Sequence, residues 1–70
     1  MNETLKLRRE QEYRELRAER LDLYEQAVRI GSLVAIETGS ISVAAKVESS
    51  IVSLLLKVLN ERKNNEQTTI

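Results

Sequence analysis

Apolar positions in the first half of the chain recur with a period of about 3.5 residues, the spacing of a helix seam. Tyr13, Leu16, Leu23, Ala27, Ile30 and Val34 fall on alternating a and d positions of a heptad, with Arg20 at the a position between Leu16 and Leu23. Leu21, Tyr24 and Val28 widen the stripe on one flank. The pattern predicts one long amphipathic helix over about residues 3–37. An arginine at an a position lowers stability while fixing register. Gly31 weakens the helix locally by up to about 1 kcal/mol and leaves room for another backbone to approach.

Thr38-Gly39-Ser40 interrupts the periodicity. Glycine suits the left-handed residue that closes a helix, and serine suits the cap that opens the next. These residues predict a tight turn between two helices, the second running over about residues 40–62. Ile41, Val43 and Val47 form a β-branched run, but the leucine-rich segment that follows has helical spacing.

The polar residues of this second helix are Ser42, Lys46, Ser49, Ser50, Ser53, Lys57 and Asn60. Rotation of about 100° per residue gathers them into one arc of about 100°. Around the rest stand Ile41, Val43, Ala44, Ala45, Val47, Ile51, Val52, Leu54, Leu55, Leu56, Val58 and Leu59, with Glu48 as the charged exception. About two thirds of the circumference is apolar, more than one neighbouring helix can cover.

Folding back at Gly39 places Arg62 near Leu16. Residues 1–15 are therefore expected to project as a charged arm. Beyond Arg62 the periodicity ends, which predicts a disordered tail over residues 63–70 after a single domain of residues 1–62.

Composition narrows how so small a chain is stabilised. Seventy residues bury a modest core, and small domains draw on disulfides, metals or association. The chain holds no cysteine and no histidine, so no disulfide framework or thiolate metal site can form and the commonest transition-metal ligand is missing. Association is the remaining route. Absence of proline leaves few barriers to long helices.

Charge shapes the expected partners. Eleven basic and eleven acidic residues cancel, whereas a dedicated nucleic-acid binder carries a basic excess. The first 26 residues interleave acids and bases four apart, as in Lys6 with Glu10 and Glu10 with Arg14, the pattern of a solvated helix face. Leu5 and Leu7 sit among Lys6, Arg8 and Arg9, unlike a secretory signal. No stretch reaches the roughly 18 uncharged apolar residues of a membrane span. A cytoplasmic protein without a membrane partner is the expectation.

Catalytic parts are missing. Nucleophilic triads need histidine or a comparable base, and the available carboxylates are helix-surface glutamates interleaved with arginines. Glu12, Glu15 and Glu19 read as solvated surface rather than a metal site. No Gly-rich phosphate loop is present. The chain is therefore expected to be no enzyme and to carry no cofactor and no metal.

Two nucleic-acid readings compete. Lys6, Arg8, Arg9, Arg14, Arg17 and Arg20 give the N-terminal helix basic character, offset by Glu3, Glu10, Glu12, Glu15 and Glu19. Residues 39–59 loosely resemble a helix-turn-helix, with Gly39 and Ser40 before Ala44-Ala45 and a would-be recognition helix from Ser50 to Leu59. The segment departs from that pattern in lacking a turn glycine near Glu48-Ser49. It also offers Ile51, Val52, Leu54 and Leu56 where polar side chains should meet base edges. A lipid-surface helix would carry basic residues and Trp or Phe, whereas this polar stripe is mostly serine.

The expected architecture is all-α: a helical hairpin that forms a homodimeric four-helix bundle. Its expected oligomer core comprises Leu16, Leu23, Ile30, Val34, Val47, Ile51, Leu54, Leu55, Val58 and Leu59. The expected function is a small non-enzymatic protein-interaction module, a regulator or adaptor that pairs with itself and binds a larger protein. Its size is that of modules carried by phages or mobile elements. A small DNA-binding regulator is the alternative. Tyr13, Arg17, Arg20 and Tyr24 are the candidate partner-binding residues, because tyrosine and arginine are enriched at interface hot spots.

Overall fold

A computed structural model describes the backbone of residues 2–68 and the side chains of residues 6–64. Among the described residues three helices follow in order: α1 (Asn2–Glu19), α2 (Leu21–Thr38) and α3 (Ile41–Thr68). No strand occurs among the described residues, and the all-α class agrees with the sequence.

The turn between α2 and α3 forms where local chemistry places it. Gly39 takes the left-handed conformation (φ 68°, ψ 15°), and its N–H donates to the Ala35 carbonyl at 2.9 Å. Only glycine adopts this geometry without a Cβ penalty. The Ser40 hydroxyl oxygen accepts from the Val43 N–H at 3.2 Å and so caps α3. Thr38 closes the junction from the other side: its hydroxyl donates to the Val34 carbonyl at 2.7 Å and accepts from the Ser40 N–H at 3.2 Å.

The long first helix expected over residues 3–37 is two helices. Arg20 leaves the helical region (φ −141°, ψ 84°) with no side-chain cap bond. Helical bonding flanks it closely, since its N–H donates to the Leu16 carbonyl at 2.7 Å and its carbonyl accepts from Tyr24 at 3.0 Å. Its guanidinium turns to Asp22 in a fork of two bonds at 3.0 and 2.8 Å. The physical reason for the break lies in what it buries. In a straight helix Leu16 would lie opposite Arg62, among the polar residues at the end of α3. Folding back seals it completely in a cluster with Ala27, Val52 and Leu56, and full burial of a leucine contributes roughly 1.5–3 kcal/mol.

Residues 1–15 are accordingly no projecting arm in the part described. The Ser53 hydroxyl donates to Glu12 at 2.9 Å, and Lys63 pairs with Glu19. These contacts make α1 run parallel to α3, with α2 antiparallel to both. Instead of ending near residue 62, α3 continues through Thr68, and Lys63 meets Glu19 at the end of α1. The tail expected over 63–70 is thus helical to Thr68, and residues 69 and 70 lie outside the described residues.

The core is thin. Leu16, Ala27, Ala44, Val52 and Leu56 are the buried hydrophobics among the described residues, with Tyr13, Leu23, Tyr24, Ile51, Leu55 and Leu59 packed around them. The radius of gyration is 13.8 Å, against about 11 Å expected for a compact chain of this length. Extents of 49 × 28 × 16 Å describe a flattened particle whose hairpin has two broad sides.

Candidate interaction surface

One side of the α2–α3 hairpin is covered by α1, largely through polar and aromatic contacts. Leu16 is the fully buried anchor. The rings of Tyr13 and Tyr24 meet edge to face, centroids 6.3 Å apart and planes at 80°, and the Arg17 guanidinium lies 5.9 Å from the Tyr24 centroid. Glu48, the charged exception on the apolar face of α3, fits this side because Gly31 makes room for it. A Cβ at Gly31 would lie 3.1 Å from the Cβ of Glu48 and would overlap its carboxylate. Burial, then a hydrogen bond to Glu48 and repulsion by its charge, push the Tyr13 phenol up to about 12.

The candidate partner-binding residues divide accordingly. Tyr13, Arg17 and Tyr24 come together, but both tyrosines are half-buried against the protein's own core. Arg20 stands apart at the helix junction, where its hydrogen bonds hold the Asp22 carboxyl down at about 2. Both rings pack on the core and keep part of their surface exposed, and Tyr13 also borders an open trough beside Ala45.

The other side of the hairpin carries an apolar band with no helix over it. Helical rotation puts Leu23, Ile30 and Val34 on the flank of α2 away from Tyr24, and Val43, Val47, Leu54 and Val58 on the matching flank of α3. Antiparallel pairing from Gly39 interleaves the two rows. Leu23, Val34 and Val47 are half-buried, while Leu54 is 61% exposed, Val58 52%, Val43 43% and Ile30 41%. The spacing 43, 47, 54, 58 alternates four and seven residues, a heptad-type seam with Ser50 at the intervening position. No charged residue interrupts the band. Glu37 borders it on α2, and Lys46 and Lys57 border it on α3, all exposed.

The expected oligomer core is therefore split. Leu16 lies inside the chain, and Leu23, Val34, Val47, Ile51, Leu55 and Leu59 are half-buried, whereas Ile30, Leu54 and Val58 stand open. Sequence reasoning placed Leu16 and Ala27 on the seam and gave Gly31 room for a close approach, but left Val52, Leu56 and Ala44 out of the expected core. The signal for this centre was the row of small residues Ala27, Gly31 and Ala44, which lets helices cross closely. Most of the polar arc of α3 is exposed, at Ser42, Lys46, Ser50, Lys57 and Asn60, while Ser49 and Ser53 at its edge are half-buried on the α1 side.

Concave space is shallow. An open trough of about 880 Å³ lies between α1 and α3, with Arg8, Glu12, Glu15, Ser53 and Lys57 along its walls. A second, of about 430 Å³, lies beside Tyr13 and Ala45. Charges of both signs alternate along the larger one. Among the described residues no three carboxylates gather where they could hold a metal ion, and no helix is long and apolar enough to cross a membrane. Helix α3 is continuous through residues 48 and 49, so the turn that a helix-turn-helix requires there is absent. No family model matches the chain, and comparison with curated proteins and with solved structures finds no match.

Proposed function

We propose that this protein is a non-enzymatic helical assembly module that pairs with a second copy through the bare side of its α2–α3 hairpin, as a regulator or adaptor for a larger protein. The observation that carries the reading is the uncharged band of Ile30, Val43, Leu54 and Val58, exposed along one side while α1 covers the other. Isolated exposed leucines are ordinary, but a continuous apolar row with a polar rim is the mark of an association surface. The rim supports a second copy as the occupant. Acidic Glu37 on the α2 edge and basic Lys46 and Lys57 on the α3 edge become complementary when a two-fold sets α2 of one copy over α3 of the other. Four helices, two from each hairpin, would then form the central bundle, with the two α1 helices outside it.

The non-enzymatic part of the proposal rests on chemistry: the chain has no histidine or cysteine, and its concave surfaces are open troughs of mixed charge. The continuity of α3 counts against the helix-turn-helix form of the DNA-binding alternative, and the acids interleaved along α1 offset the basic residues on which its other form relies.

Sedimentation equilibrium tests the pairing. The intact chain is expected at twice its 8.0 kDa mass. The double variant Leu54→Glu with Val58→Glu is expected at the monomer mass with its helical circular dichroism retained, because both side chains are exposed in the single chain. A monomeric wild-type protein, or a double variant that stays dimeric with each α1 docked on its own hairpin, would overturn the proposal.

A further inference from the structure

We propose that α1 is an exchangeable element: the chain straightens at Arg20 and lays its α1 against the α2–α3 hairpin of a second copy. The first ground is the pattern across the junction. The heptad phase runs from Tyr13 and Leu16 through Arg20 to Leu23 and Ala27 without a proline or glycine at the break. A continuous helix through this point keeps one apolar stripe in phase, and arginine is a good helix former. The break is thus a tertiary choice laid over a sequence that favours continuity.

The second ground is the hinge itself. A single non-helical residue joins α1 to α2, and Arg20 caps no backbone group with its side chain. Straightening replaces the junction with uninterrupted helical bonding, which propagates easily once a helix exists. Short hinges of this kind invite exchange of an element between copies.

The third ground is that nothing else changes. Leu16 enters the cluster of Ala27, Val52 and Leu56, and Glu12 meets Ser53, whichever copy supplies the hairpin. Exchange therefore conserves every contact of α1 and gains the continuous helix, at the cost of the entropy of association. The bare band lies on the opposite side of the hairpin, so exchange does not depend on the face-to-face pairing proposed above and can coexist with it.

The two tyrosines provide a direct reading. Their rings touch, and the chain has no others. Isotope-labelled and unlabelled protein are unfolded together, refolded as a mixture, and examined by isotope-filtered nuclear Overhauser spectroscopy. Exchange predicts a Tyr13–Tyr24 ring contact between a labelled and an unlabelled copy. It also predicts that Leu21→Pro abolishes the cross-copy contact while keeping the within-copy one. Leu21 is exposed, proline is favoured at the first residue of a helix, and the residue before a proline is pushed to extended backbone near that of Arg20. A wild-type ring contact confined to single copies would overturn the proposal, whatever the mass of the particle. Persistence of the cross-copy contact in Leu21→Pro would do so as well.

Discussion

The two sides of the α2–α3 hairpin differ in the kind of contact they offer. The side under α1 is closed by an eighteen-residue helix that contributes one fully buried leucine, two ring contacts and a set of polar links. The bare side offers more aliphatic surface and no charge, yet nothing in the single chain covers it. Apolar content alone therefore does not decide which surface of a small helical protein becomes its core. Chain connectivity enters as well: one helix, tethered to α2 at Arg20, lies on one side of the hairpin and cannot cover both.

The strongest way to test this contrast is to truncate one leucine on each side. Leu16→Ala leaves a cavity under α1 and is expected to lower stability by about 2–4 kcal/mol, read from chemical denaturation followed by circular dichroism. Leu54→Ala in dilute, monomeric protein is expected to shift the same transition by no more than about 0.5 kcal/mol, with a larger loss appearing only as concentration favours pairing. Equal effects at low concentration would erase the distinction between the sides.

A smaller effect is expected at the close approach under α1. Gly31→Ala improves helix propensity, but its Cβ would crowd Glu48 at 3.1 Å. A net loss of about 1 kcal/mol is expected from such overpacking, and adding Glu48→Ala should recover part of it. A stabilised single variant would show that α2 and α3 can separate there without penalty.

The smallest effect concerns pH and is specific to the covered side. The Tyr13 phenol is raised from 10.0 to about 12, so the folded chain holds that proton more tightly than the unfolded one. The resulting stability is present in full below pH 10 and is lost as pH rises from about 10 toward 12. Thermal melts across that window should fall in wild type and fall less in Tyr13→Phe. Identical slopes would mean that Tyr13 is not held against Glu48.

Much of the fold was legible in the sequence where the cause is local. Helix-forming composition and heptad spacing specified helices, and Thr38-Gly39-Ser40 marked the turn, because a left-handed glycine and a serine cap need only their immediate neighbours. The break at Arg20 was not legible, since no residue there disfavours a helix and the apolar phase continues across it. The inward face of α3 was legible in part. Its polar arc marks the exposed side at Ser42, Lys46, Ser50, Lys57 and Asn60, but a helix apolar over most of its circumference does not say that α1 covers Ser49 and Ser53 while Leu54 and Val58 stay open.

What the sequence determined by itself is the set of helices, the one tight turn, and an excess of aliphatic surface over what seventy residues can enclose. Tertiary structure decided how that excess is divided. Sealing Leu16 with Val52 and Leu56 requires residues more than thirty positions apart to meet, and that gain outweighs the local preference of Arg20 for a continuous helix. The same choice sent Ser49 and Ser53 toward α1 and left Leu54 and Val58 outside, because a helix can turn only one face toward a partner that its own chain can reach.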